Sequence, residues 1–331
     1  MSRDNNAGII HFFFAIIVAY GHQFYLMGCP QYLPLFLGEQ IQVIAVKSIF
    51  VITGYFVTLS FIKRKSFIYF SYKRFHRIYP SLVICLFLTV IVFSFISICS
   101  LNVYYRYCWA YFNNLLLFPR YDLPGVLDSV PYKGAVNGSL WTIPIEIFLY
   151  FSVSFAIFIF EKLSRYLFGI FAVILCFVCQ HVYHSSDIIL YYGSCINNAC
   201  NLIPFYLVGS IFAYYHIEKL LNVKVAFICL IFFTFVLLDY QYSINFLLIP
   251  YCVLSFCFKA EYIKINKLLD KNNISYPVYL YSFPSQQIAV LYFSKYIESL
   301  NILFIISMVP VILLSIISER IVKSKYLSLW R

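Results

Sequence analysis

Six side chains combine charge or a titratable ring with strongly apolar surroundings: His11, His22, Lys47, Arg74, Arg77 and Glu146. Ionisable groups inside apolar spans are costly to keep, so each is a candidate for chemistry. His11 and His22 would lie on one stripe of a helix, about 16 Å apart along its axis. An imidazole beside a carboxylate can act as a general base. Glu146, which follows Trp141-Thr142-Ile143-Pro144, is the carboxylate expected to share a depth with His22 and Lys47 in the outer half of a membrane. Arg74 and Arg77, within Tyr72-Lys73-Arg74-Phe75-His76-Arg77-Ile78-Tyr79-Pro80, share a helix face at a cytoplasmic mouth. Their guanidinium forks suit phosphate groups such as a nucleotide or coenzyme presents. Plainer roles stand beside each of these. An intramembrane His can simply bond a neighbouring helix, and Glu146 can favour a helix N-terminus. Lys47 can reach out to the interface, and the arginines can be ordinary topology signals.

The elements that hold these residues follow from composition. The chain has 331 residues, 63% hydrophobic, 21% aromatic and 11% charged, with mean hydropathy +0.84. Soluble domains are about a quarter charged, and disordered chains are polar and poor in aromatics. Both are excluded, as are a collagen and a coiled coil. Continuous apolar runs, rather than short alternating segments, exclude a β-barrel. Spans are expected near 8–28, 41–62, 77–99, 143–160, 166–183, 200–217, 223–240, 242–258, 274–294 and 300–320. The chain therefore reads as an all-α integral membrane protein, a bundle of about ten transmembrane helices. The first apolar run reads as a retained helix rather than a cleaved leader.

The net charge of +11 falls in short clusters between spans, as a topology code does, and does not suggest a nucleic-acid partner. Arg3, Lys63, Arg64, Lys65, Lys73, Arg74, Arg77, Lys162, Arg165, Lys219, Lys224, Lys259, Lys264, Lys267, Lys271, Arg320, Lys323, Lys325 and Arg331 gather on one side. Arg106, Arg120, Lys133 and Lys295 are on the other, with Lys47 inside a span. Both termini are thus expected to be cytoplasmic. One long connection, about 100–140, lies on the outer face, and residues 1–331 read as a single membrane domain with no appended soluble one. Cys29, Cys99, Cys108, Cys195 and Cys200 lie near the outer face and could pair, whereas Cys176-x-x-Cys179 sits in a lipid helix where zinc is not expected. No metal-ligand set is expected.

These residues together resemble the acyltransferase-3 family of bacterial membrane O-acyltransferases, almost end to end. The family's first helix carries Arg, ten residues, then His; here the pair is His11 and His22. Phe50-Val51-Ile52-Thr53-Gly54-Tyr55 is similar to its F-x-I-S-G-Y stretch, and Arg74, Arg77, Ile78 and Pro80 to its R-x-x-R-I-x-P element. Leu123-Pro124-Gly125 and Asn137-Gly138-Ser139-Leu140-Trp141-Thr142-Ile143-Pro144-Ile145-Glu146 match its LPG…NGSLWTLPxE. Ile274-Ser275-Tyr276-Pro277-Val278-Tyr279-Leu280-Tyr281 and Phe283-Pro284-Ser285-Gln286-Gln287 resemble the late motif of one branch.

The resemblance implies acyl transfer from an acyl-coenzyme A, usually acetyl-CoA as cosubstrate with no bound cofactor. The acceptor would be a sugar hydroxyl of a surface polysaccharide such as O-antigen, either as polymer or as lipid-linked glycan. It implies His22 as general base oriented by Glu146, with Arg74, Arg77 and His11 handling the donor, and Lys47 and Trp141 as candidate channel lining. His11 stands where the family has Arg, which puts the handling of the donor at that position in question. The expected location is the bacterial inner membrane. A lipid-linked oligosaccharide flippase or polymerase would share the span count and the glycan; it would be expected to show a basic central cavity or a large basic outer loop.

Overall fold

A computed structural model describes residues 5–236, 241–261 and 274–329. Arg3, Lys264, Lys267, Lys271 and Arg331, assigned above to the cytoplasmic side, lie outside the described residues. The described chain is built of helices. These are α1 (Ala7–Leu26), α2 (Ile41–Arg64), α3 (Phe67–Ser94), a short α4 (Leu101–Tyr107), α5 (Thr142–Leu163), α6 (Arg165–Tyr183) and α7 (Ile196–Tyr215). They are followed by α8 (Val223–Val236), α9 (Gln241–Lys259), α10 (Ser275–Phe293) and α11 (Leu300–Leu329). A helix meets every expected span, and 7 helices among the described residues are long and apolar enough to cross a membrane. The protein is an all-α, multi-pass membrane protein.

Two boundaries differ from the sequence reading, and both matter for the site. Helix α3 begins at Phe67, where the Ser66 hydroxyl accepts from the Tyr69 N–H, not at residue 77. The basic residues before Pro80 looked like a membrane edge; they are helical, and Arg74 is buried. The arginines therefore sit well inside α3 rather than at its mouth. The second difference is in the long connection. Its later part does not stay on the outer face: Ala135, Val136, Asn137, Ser139 and Leu140 are all core residues.

The reason lies partly in α10. Pro284 has no N–H to give to the carbonyl four residues earlier, so the Leu280 oxygen is left free inside the bundle. The Asn137 side chain donates to it at 2.9 Å. On the same helix Gln287 donates to the carbonyls of Ala135 (2.7 Å) and Tyr132 (3.0 Å). Gln286 donates to Ala19 O and to Gln23 Oε1 of α1. The polar residues that lower the hydropathy of α10 thus face protein, as buried polar groups in a bilayer must. The connection is drawn inward, and α5 starts deep in the bundle at Thr142.

The other tight joint is between α2 and α7. A Cβ on Gly54 would lie 2.1 Å from the Tyr206 carbonyl oxygen, and one on Gly209 2.2 Å from that of Val51. Small residues at such crossings let backbones approach, which replaces the missing hydrophobic drive in lipid. Both helices are entered through a two-residue hairpin, Leu35–Phe36 with Glu39–Gln40 (β1, β2) and Leu190–Tyr191 with Ser194–Cys195 (β3, β4). Leu37 and Gly38 both have positive φ, 50° and 74°, the geometry of a type I′ turn. All 11 cysteines are free thiols, so none of the outer-face pairs considered above is bonded.

Candidate active site

Because α5 begins deep, its first turns meet the middle of α2 and α3 and the first turns of α1 and α10. His11, Val46, Phe50, Arg77, Ile78, Thr142, Glu146, Tyr150, Tyr276 and Tyr279 enclose a cavity of ≈ 30 Å³, room for roughly one or two waters. Phe50 lies about 20 Å along α2 from its basic end and about 15 Å from the other, so the cavity is near mid-depth.

Glu146 accepts a hydrogen bond from the Tyr150 hydroxyl, one turn along the same helix. Arg77 and Arg74 are the cations whose charges act on this carboxylate. Arg77 borders the cavity and is near enough to His11 to act on it electrostatically. Arg74 lies behind Tyr150, its guanidinium 5.6 Å from that ring and 5.6 Å from the Phe70 ring. It donates to Ser60 Oγ at 3.4 Å, while its Nε and one terminal nitrogen are buried with no partner. The His11 Nδ1 and Tyr276 hydroxyl are also buried without partners. Unmatched polar groups in a low-dielectric site are expensive; here His11 and Tyr276 border the cavity beside Arg77, with Arg74 behind Tyr150. Across it, the Thr142 hydroxyl and the Tyr279 hydroxyl lie 2.8 Å apart, and Tyr279 also donates to Ser139 O.

His22 lies elsewhere. Its ring stands edge-on to Phe283 at 5.1 Å, and its Nδ1 is buried with no partner. Phe283 in turn meets Tyr132 at 6.1 Å and fills the space where Gly138 would carry a Cβ. His22 thus faces α10 and the inward-drawn connection, about 16 Å from His11 along the same stripe of α1. The expected depth match of His22 with Glu146 is not formed. The depth of Glu146 was read from an α5 starting at the outer surface, and α5 starts lower.

Lys47 does not border the cavity. It pairs with Glu39 at 2.5 Å, with both side chains almost fully buried. Asn245 of α9 donates to the same carboxylate (3.3 Å) and to Leu37 O (2.8 Å). The pair ties α2 to its hairpin and to α9. Trp141 precedes the first residue of α5 and is not among the residues that line the cavity. Tyr150, Tyr276, Tyr279 and Thr142 were missed in the sequence. Only Tyr150 left a readable sign, its one-turn spacing from Glu146; the others depend on where α5 and α10 start. Among the described residues no group of three or more His, Cys, Asp or Glu could hold a metal ion.

A family profile described as an acyltransferase domain matches residues 9–320. The chain is also similar to a protein of Shigella phage Sf6 named O-acetyl transferase, with 27% identity over 320 residues. The match covers 95% of this chain and 93% of the relative. No solved structure matches.

Proposed function

This chain belongs to the acyltransferase-3 family, and from that premise we propose that it carries an acetyl group from acetyl-CoA to a sugar hydroxyl of a surface polysaccharide such as O-antigen. The O-acetyl transferase name of the phage relative favours acetyl over other acyl groups. The observation that carries the reading is the cavity where Arg77 meets Glu146 and His11 with Arg74 behind it. It offers an anionic donor two forked cations partway down from the cytoplasmic side. The proposed setting is the bacterial inner membrane, with ten spans and both termini cytoplasmic.

In this reading Arg77 and Arg74 hold the donor's phosphates. The extended pantetheine arm runs outward along the α1 stripe from His11 toward His22. At His22 the acceptor hydroxyl loses its proton to the imidazole as its oxygen attacks the thioester carbonyl. The C–O ester bond forms, the C–S bond breaks, and the coenzyme leaves as thiolate, which takes the proton back from His22. Glu146, apart from His22, balances the arginines instead of orienting the imidazole. The cavity is too narrow for the donor at rest, so side chains around it separate on binding.

Mass spectrometry of surface polysaccharide tests this, from cells making wild type, His22→Ala or no protein at matched membrane levels. Acetyl-sized mass additions with wild type alone are expected. Equal additions with His22→Ala would remove His22 from catalysis, and additions absent from every strain would count against the acetyl-transfer reading.

A further inference from the structure

A second pocket opens on the outer face, at the far end of α10 from the buried cavity. It measures ≈ 330 Å³ and is bounded by Leu127, Asp128, Ser129, Tyr292, Ser294 and Lys295 among others. Small-ligand sites begin at about 300 Å³. Asp128, Ser129, Tyr292 and Lys295 are all exposed. Asp128 and Lys295 flank the pocket, and neither forms an ion pair among the described residues. The floor is firm. Ile98 N–H donates to Gly125 O at 2.8 Å, Ser97 Oγ to Pro124 O at 2.8 Å, and Val136 N–H to Tyr121 O at 2.7 Å. Leu127 is held at φ 66°, a region uncommon for residues other than glycine.

Position gives the pocket its meaning. The segment that forms its wall, 125–130, continues to Tyr132, which meets Phe283, and Phe283 meets His22. Along α10, Val290 at the pocket lies about 10 Å outward of Phe283. An outward-facing pocket of mixed polar and apolar lining therefore lies about two to three turns along α10 from the residue that packs on the buried, unpartnered imidazole, at the opposite end of that helix from the arginine cavity. Its chemistry is a carboxylate, an ammonium, two hydroxyls and a half-exposed tyrosine ring, set among the aliphatic side chains of Ile96, Ile98, Leu127, Val130 and Leu291. Hydroxyl groups need both donors and acceptors around them, and an aromatic face accepts the C–H side of a sugar ring.

We propose that this outer pocket seats a neutral hexopyranose unit of the acceptor glycan, with Asp128 and Lys295 bonding its hydroxyls and Tyr292 beneath the ring. It rests on the acyl-transfer reading for the identity of the acceptor as a glycan, but not for the binding itself. Two measurements on purified full-length protein separate them. Binding of an oligosaccharide released from the surface polysaccharide, followed by saturation-transfer NMR without donor, should give ring-proton contacts with wild type. Asp128→Ala and Tyr292→Ala should lose them. In transfer assays the same variants should raise the KM for oligosaccharide about tenfold, with the KM for acetyl-CoA unchanged. Asp128→Asn, which keeps hydrogen bonding, should recover part of the loss. Wild-type contacts that persist in both alanine variants, or an unchanged acceptor KM, would overturn the pocket while leaving acetyl transfer intact. Specific binding with no transfer by wild type would sink the acyl-transfer reading and uphold the pocket.

Discussion

Glu146 has neighbours that decide what it can do: a tyrosine one turn away that donates to it, and two arginines whose charges face it. On the proposed reading, a carboxylate so placed steadies the cations until an anionic donor arrives. Arg77→Gln should therefore raise the KM for acetyl-CoA about 10–100-fold, the loss of a charge-assisted bond worth about 1.5–3 kcal/mol. The KM for the acceptor should not move. If acceptor KM rises instead, Arg77 is not a donor group. His11 gives the complementary test, because it stands at the position the family fills with Arg. His11→Arg adds a third fork to the same cavity and should lower the KM for acetyl-CoA in steady-state assays; a higher KM would show that the imidazole has its own role. The charged types here were legible in the sequence because lipid makes them conspicuous. Their grouping was not: His11 meets Glu146 only because α5 begins below the surface, and nothing in the local sequence marks that depth.

At the scale of elements, hydropathy located the helices well, since each apolar run had to close its own hydrogen bonds. It failed where polar residues serve the interior. Lys73, Arg74 and Arg77 made α3 look as if it began ten residues later than it does, and the glutamines of α10 hid its central place. Asn137 shows how such residues work, supplying the donor that Pro284 withholds from Leu280 O. Asn137→Ala leaves that carbonyl only the weak Cys85 thiol donor at 3.5 Å, at a cost of about 1 kcal/mol, and lets the inward connection loosen around His22. Lower thermal stability in detergent together with reduced transfer is the expected outcome; unchanged melting would mean the connection is held by other contacts. The α2–α7 crossing is less forgiving. Gly54→Ala places a methyl group 2.1 Å from a backbone oxygen, so the helices must part. Overpacking of this kind costs about 1–3 kcal/mol or more, and a clear drop in melting temperature should follow. The Thr-Gly-Tyr motif was visible in the sequence, but its steric purpose appears only with α7 alongside.

Across the whole molecule, charge and polarity are arranged in layers. Lys65 and Glu161 join the α2–α3 and α5–α6 turns at 2.7 Å, so those two basic turns lie at one end of the bundle. Such an exposed pair adds little stability; its value is as a marker of sidedness. Alkaline phosphatase fused after Lys133 should be active and after Ser164 inactive, if positive residues stay inside. The reverse pattern would invert the bundle and put the arginine cavity within reach of the wrong compartment. Helix α5 divides two environments, with Glu146 and Tyr150 on the polar cavity and Phe148 and Phe151 on an apolar groove of ≈ 900 Å³. On the proposed reading, donor and acceptor come to opposite ends of the α1 stripe, and His22 stands where they would meet. The most direct measurement is transfer of radiolabelled acetyl from acetyl-CoA to purified polysaccharide by the protein in proteoliposomes. Label should enter the glycan with wild type and fall at least a hundredfold with His22→Ala, while Arg77→Gln is rescued by raising acetyl-CoA. Undiminished labelling by His22→Ala, in protein that remains folded, would contradict the assignment of the reacting end of the channel.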